Sequence, residues 1–175
     1  MNLTICSYKN QKKISHDAMS QYLEFYRDER KTAKDDFSFE DILGFSDKQL
    51  ENEHMYIQWV FPNPVLSKMQ PSAATEPLTE EAAREMRQDQ AVAARAKQMV
   101  TKMLNFWGMD DDATITNKQR FVAKLRRANH NQQRMTRMLI FLKCMGWTDL
   151  LDGIRAVLVN NVPPRTKAVK FWTEV

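Results

Sequence analysis

Cysteine and glycine are scarce in this sequence of 175 residues. There are two cysteines, Cys6 and Cys144, and only four glycines. Two cysteines this far apart form neither a disulfide framework nor the paired spacing of a zinc site, so we expect no bound metal and a reducing compartment. With four glycines and six prolines to interrupt the chain, long helices are favoured over many tight turns.

Long apolar runs are also missing. No stretch approaches the roughly 20 apolar residues that a membrane helix needs, and Met1–Lys13 lacks the apolar segment of a signal peptide. We therefore expect a soluble intracellular protein, cytoplasmic or nuclear. The hydrophobic content of 43% is ordinary for a globular protein, and the chain is long enough for one core. We predict a loosely ordered N-terminus over 1–13 and one domain over 14–175.

Apolar residues recur at helical spacing through most of that domain and predict an all-α fold of seven or eight helices with a long central one. Thr79 to Trp107 contains neither glycine nor proline, so it forms one long helix, or two joined near Asp89. Tyr56–Phe61 has strand propensity but no second convincing strand to pair with, and we interpret it as a buried helical turn or an irregular segment. The eleven methionines fall mostly on apolar helical faces, which favours gap-filling in the core over an adaptable binding surface. A short helical turn follows from Ser38, and Ser46 with Gln49 matches a capping box. Further helix caps are predicted at Ser15, Thr79, Asn117, Asn129, Thr148 and Thr166.

Acidic residues are absent between Asp112 and Asp149, a stretch that holds eight lysines and arginines. This polarised charge makes nucleic-acid or polyanion binding an alternative function. Two basic helices joined near Asn129 are similar to a helix-turn-helix, and Gln132, Gln133 and Arg134 could reach base edges. The residues of this alternative are Lys118, Arg120, Lys124, Arg126, Arg127 and Gln133.

A second cluster comes from one helical face. His130, Arg134 and Arg137 project within about 60° of one another on an ideal helix. In one interpretation they form a structural network, with the arginines bound to Glu51, Glu53 or loop carbonyls. In the other they form an anion or peptide-carboxylate pocket. The candidate ligand-binding residues are His54, Gln58, His130, Arg134 and Arg137.

Motifs of enzymes and metal proteins are not found. The sequence has no nucleophile elbow, phosphate-binding loop or H-E-x-x-H pattern, and Asp110–Asp112 lacks the spacing of a calcium loop. We therefore expect a non-enzymatic protein without catalytic residues, cofactor or metal. An enzyme would need a cleft that gathers His54, His130 and a carboxylate.

Two blocks carry a family resemblance. Leu50–Pro62 reads LENEHMYIQWVFP, and Asn129–Leu139 reads NHNQQRMTRML. They resemble L-E-x-x-H-x-Y-I-Q-W-L-F-P and S-H-N-x-x-R-I-T-R-I-L of the opioid growth factor receptor conserved domain. Shorter matches at Phe25–Arg27, Pro77–Thr79 and Met103–Gly108 occur in the same order.

The resemblance covers roughly Tyr22 to Trp172 and implies an all-α domain. It also implies a receptor-like protein that binds a small opioid pentapeptide, associates with the nucleus and restrains growth. It implies no catalytic residues and supplies no residue-level binding motif. From it we expect a helical interaction module with a peptide or protein partner.

Overall fold

Ten α-helices and no strand are formed by residues 20–68 and 76–175, which are the parts of the chain that the computed structural model describes. The predicted loose N-terminus over 1–13 and the predicted cap at Ser15 lie outside these residues. One isolated antiparallel bridge joins Met109 and Ile115. The helices are α1 Gln21–Tyr26, α2 Phe39–Leu43, α3 Asp47–Asn52, α4 Ile57–Val60, α5 Glu80–Gln88, α6 Gln90–Phe106, α7 Lys118–Leu125, α8 His130–Cys144, α9 Thr148–Asn161 and α10 Lys167–Glu174.

The predicted all-α fold is confirmed, and ten helices replace the seven or eight expected. Asp89 accounts for part of the difference, because its extended backbone separates α5 from α6. Its side chain accepts hydrogen bonds from the backbone N–H groups of Ala91 and Val92, at 3.0 and 3.1 Å, and so caps α6. The turn at Ile57–Val60 adds another short helix, as one interpretation of that segment allowed.

Side-chain caps explain where most other helices begin. Ser46 and Gln49 form the predicted capping box of α3, and Ser38 with Asp41 forms one at α2. The predicted caps at Thr79, Asn117 and Asn129 are also present.

Two details of the C-terminal helices differ from the prediction. Thr148 is the first residue of α9 and not its cap, because Leu151 N–H already donates to the Trp147 carbonyl at 3.0 Å. Thr166 occupies the cap position of α10, but its side chain makes no capping hydrogen bond. Within α10, Val169 and Trp172 are buried, whereas Phe171 is 59% exposed.

The segment Tyr56–Phe61 lies between the two main helix groups. One group packs α1, α2 and α5 around α6, and the other packs α8, α9 and α10 together. Trp59 contacts the rings of Tyr22 and Phe25 at centroid distances of 5.9 and 5.5 Å, on the first side. Phe61 contacts Phe141 of α8 at 5.6 Å on the other. This segment therefore joins the two groups through buried aromatic rings.

The methionines of the long helices are core residues, as expected from their position on apolar faces. Met99 and Met103 of α6 and Met135 and Met138 of α8 are fully buried. Their flexible side chains fill the space between helices of unequal length. Within the described residues, no helix is both long enough and apolar enough to cross a bilayer.

Gly108 ends the turn after α6 in a conformation that only glycine adopts easily. Its φ is +81°, and a Cβ atom there would overlap the Asn117 carbonyl oxygen and lie 3.0 Å from Phe121 N. Asn117 and Phe121 are the cap of α7 and a residue of its first turn. The missing side chain thus lets α7 begin directly against the end of α6.

Candidate functional site

The two matched blocks of sequence meet in space. The chain from Leu50 to His54 leaves the end of α3 and passes along the first two turns of α8. Asn129 fixes the start of α8 by accepting a hydrogen bond from Asn131 N–H at 2.8 Å. His130 and Arg134, one turn apart, then face the carbonyl groups of the α3 end.

Arg134 is enclosed by these carbonyl groups. Its Nη1 donates to the Leu50 carbonyl oxygen at 2.6 Å, and its Nη2 donates to that of Glu53 at 2.5 Å, with a longer contact of 3.4 Å to that of Glu51. Nη2 also lies 3.1 Å from His54 Nδ1. Only 4% of the residue is exposed, and burial lowers the pKa of its guanidinium. We call this arrangement the carbonyl cage.

Glu51 forms an ion cluster beside the carbonyl cage. Its carboxylate is hydrogen-bonded to the Lys124 ammonium of α7 and accepts from Asn131 Nδ2 at 3.3 Å. Burial raises the pKa of Glu51, but the hydrogen bonds and positive charge around it outweigh that effect, so the net pKa is lowered. Asn131 Oδ1 in turn accepts from the indole N–H of Trp107 at 3.2 Å. The cluster therefore connects α3, α6, α7 and α8.

His130 lies at the edge of this cluster. Its Nε2 is 2.8 Å from a Glu51 carboxylate oxygen, although the angles are not those of a hydrogen bond. Burial and the charge of Arg134 lower the pKa of His130, and together they outweigh the opposite effect of the Glu51 carboxylate. The ring meets that of His54 edge-to-face, with centroids 5.3 Å apart. His54 is exposed and His130 is half-buried, so both imidazoles reach the surface.

The remaining two predicted ligand-binding residues lie further along the same face. Arg137 is half-buried and donates to the Phe61 carbonyl oxygen at 3.1 Å, and burial lowers its pKa. Asn63, with its amide in the orientation that satisfies its neighbours, donates to the Arg137 carbonyl at 3.1 Å. Gln58 is 2% exposed within α4. The structure thus brings His54, His130 and Arg134 together, whereas Gln58 and Arg137 are mostly covered by the chain itself.

The residues of the nucleic-acid alternative do not form one uninterrupted basic surface. Arg120 pairs with Asp47 at 3.0 Å, and Lys124 is held by Glu51 and lies 4.3 Å from the Phe106 ring centroid. The other four residues are exposed, namely Lys118, Arg126, Arg127 and Gln133.

Two groups of residues at these sites were missed by the sequence-based prediction. Trp107 and Asn131 extend the Glu51 cluster, and Arg165 lies near Arg126 and Arg127 across a groove. Asn131 could have been found from the sequence, because it is a polar residue that directly follows His130 in an amphipathic helix. Arg165 had none, because its neighbours come from a loop about forty residues earlier in the sequence.

A family model describing the opioid growth factor receptor (OGFr) conserved region matches residues 15–162. The chain belongs to this family. An alignment of 148 residues, which covers 79% of this chain, is 32% identical to the opioid growth factor receptor of Homo sapiens. The alignment spans only 21% of that receptor's own length. No solved structure matches the chain.

The expected resemblance to the OGFr conserved region is therefore confirmed. Both sequence blocks that carry it take part in the carbonyl cage, one through its carbonyl oxygens and the other through Arg134. Among the described residues, no three His, Cys, Asp or Glu side chains gather where they could hold a metal ion. The side chains at this site can offer hydrogen bonds, imidazole rings and a carboxylate to a bound molecule.

Proposed function

We propose that this chain is a non-enzymatic interaction module that binds a peptide or protein segment. The surface that best supports this function is the imidazole pair of His54 and His130, which we call the imidazole face. Opioid peptides are the first ligand class to test, because the curated relative is named as the receptor of an opioid growth factor. We also propose an intracellular location.

One observation supports this proposal most strongly. The imidazole rings of His54 and His130 reach the surface, and the backbone that bears them is held in place by buried contacts. Arg134 fixes the chain before His54 through three carbonyl contacts, and α8 holds His130 in its first turn. Sites whose side chains are held by buried supporting contacts bind with less loss of conformational entropy. Imidazole rings also offer a polar edge and an apolar face, a combination suited to peptide backbone and side chains.

The basic surface supports nucleic-acid binding less well. Arg120 and Lys124 are engaged by carboxylates, so the positive charge that would follow a phosphate backbone is interrupted. Nucleic acid therefore serves as a comparison ligand for this surface.

The test is a titration of the isotope-labelled protein with an opioid pentapeptide, followed by backbone and imidazole chemical shifts. We expect saturable changes centred on His54 and His130, and their loss in His54→Ala. Phe171→Ala, which truncates an exposed side chain on α10, should bind as the unsubstituted chain does. Equal binding by the His54→Ala variant would contradict the site, and absence of saturable binding would contradict the ligand class.

A further inference from the structure

Arginine side chains of this protein are nearly all engaged by acceptors of the chain itself. Nine of the twelve donate to, or pair with, a carboxylate or a backbone carbonyl. Exposed arginines such as Arg84 follow the same pattern, since it pairs with Glu81 at 3.6 Å. The exceptions among the described residues are Arg126, Arg127 and Arg165, whose side chains make no ion pair or hydrogen bond.

These three arginines line one groove. It has a volume of about 410 Å³ and lies between the end of α7 and the loop before α10. We call it the arginine groove; it is lined by Val122, Arg126, Arg127, Ala128, Pro163, Arg165 and Thr166. All three arginines are exposed, so their guanidinium groups are available to a ligand.

Within the part of the chain that the structure describes, no carboxylate pairs with the positive charge of the arginine groove. Three guanidinium groups without a carboxylate partner repel one another, and a bound anion relieves that repulsion. Thr166, the cap residue of α10, also lines the groove without capping an N–H group, so the positive end of a helix dipole borders it. Planar guanidinium groups bind the oxygens of a phosphate in bidentate geometry, which makes a phosphate ester the best match in charge and shape.

We propose that the arginine groove binds a phosphorylated serine or threonine side chain on a protein partner. A phosphate ester carries nearly two negative charges at pH 7 and three acceptor oxygens. Val122, Ala128 and Pro163 give the groove an apolar part that fits the neighbouring residues of a peptide. The volume is within the range of sites for small ligands, roughly 300–1,000 Å³.

Two observations favour a peptide over a nucleic acid. No aromatic side chain of the described residues lines the groove, so bases find no ring there on which to stack. Arg120 and Lys124 on the same helix, α7, are paired with carboxylates, so the further phosphates of a strand would find only Lys118, at the far end of α7, exposed and without an ion pair there. The groove therefore suits one phosphate group, not a series of them.

The arginine groove is a second site, and its chemistry differs from that of the imidazole face. The arginine groove shares no lining residue with the imidazole face. A failure at either site therefore leaves the other testable, and His54→Ala serves as the variant that separates them. That variant should bind a phosphopeptide as tightly as the unsubstituted chain.

The experiment measures fluorescence anisotropy of a labelled heptapeptide of alanine and leucine with one central phosphoserine. Its unphosphorylated twin and a single-stranded oligothymidylate are the comparison ligands. We expect binding of the phosphopeptide only, weakened roughly tenfold by each of Arg126→Gln, Arg127→Gln and Arg165→Gln, since each removes a charge-assisted hydrogen bond. Affinity should also fall as the pH drops through about 6, where the phosphate takes up a proton.

Arg84→Gln is the matched control, because it removes the same charge from an exposed arginine that already has a partner. Its affinity should equal that of the unsubstituted chain. If Arg84→Gln weakened phosphopeptide binding equally, the loss would be an effect of net charge, and the proposed site would be wrong. Equal affinity for the unphosphorylated twin, tighter binding of oligothymidylate, or no binding up to about 1 mM would each overturn the proposal.

Discussion

Arg134 and Arg126 are eight residues apart in sequence, yet their guanidinium groups lie in opposite environments. In the carbonyl cage, Arg134 is 4% exposed and bound to backbone oxygens of the α3 end. In the arginine groove, Arg126 is exposed and meets no acceptor among the described residues. Arginine therefore has two different roles in this protein, and the presence or absence of an acceptor near the guanidinium group decides which role it has. The cage arginine stabilises the fold, and the groove arginines remain available for a ligand.

The largest effect is expected from the aromatic segment that follows the carbonyl cage. Trp59 is 1% exposed and packs against Tyr22 and Phe25. Trp59→Ala should lower the free energy of unfolding by about 3–5 kcal/mol, because the indole leaves a cavity between the two helix groups. Urea unfolding followed by circular dichroism measures the loss. A nearly unchanged unfolding midpoint would show that this segment is not part of the core.

Arg134→Met tests the carbonyl cage directly. Methionine keeps an unbranched stem but ends short of the guanidinium and has no donors, so the carbonyl oxygens of Leu50 and Glu53 lose their guanidinium hydrogen bonds. We expect a loss of about 2–4 kcal/mol in the free energy of unfolding. Arg126→Met is the matched control and should change it by less than about 0.5 kcal/mol. Equal effects at the two positions would remove the distinction between cage and groove.

The sequence predicts contacts between near neighbours better than contacts between distant parts of the chain. Caps such as Ser46 and Asp89 were predictable because their partners lie two or three residues away. The buried turn at Ile57–Val60 followed from the absence of a pairing strand. Loop carbonyls were one of two acceptor types proposed for Arg134, but the sequence could not choose between them. Carbonyl oxygens carry no residue-type signature, and these lie more than eighty residues away.

One wrong prediction and one unforeseen feature have related causes. Thr148 has a good capping side chain, but the backbone bond from Leu151 to Trp147 begins α9 one residue earlier. The sequence shows a basic stretch without acidic residues, but not that Asp47 and Glu51, from another part of the chain, pair with Arg120 and Lys124. Both outcomes depend on tertiary neighbours, which local pattern cannot supply.

A smaller effect is expected from the pH dependence of the imidazole face. The pKa of His130 is lowered by burial and by Arg134, so the unfolded chain binds a proton more readily than the folded one. Stability should therefore fall as the pH drops below about 6.5, the ordinary value for histidine. His130→Gln should make the difference between the urea unfolding midpoints at pH 7.5 and pH 5.5 smaller. Parallel curves for the two proteins would show that His130 does not contribute.

The smallest effect is expected in the arginine groove. The combined variant Arg126→Gln, Arg127→Gln and Arg165→Gln removes three exposed and unpaired charges. Its free energy of unfolding should stay within about 0.5 kcal/mol of the unsubstituted chain, because no internal contact is lost. Thermal and urea unfolding both measure this. A loss above about 1.5 kcal/mol would mean that these arginines are structural after all.

The difference between the two arginine environments can be measured in one experiment, the hydrogen exchange of the guanidinium protons in isotope-labelled arginine. Protons bound to buried acceptors exchange slowly, and those facing water exchange quickly. The structure predicts slow exchange and separately resolved Nη signals for Arg134, with fast exchange for Arg126, Arg127 and Arg165. Equally fast exchange at Arg134 would contradict the carbonyl cage, and protection of the three groove arginines in the free protein would contradict their availability to a ligand.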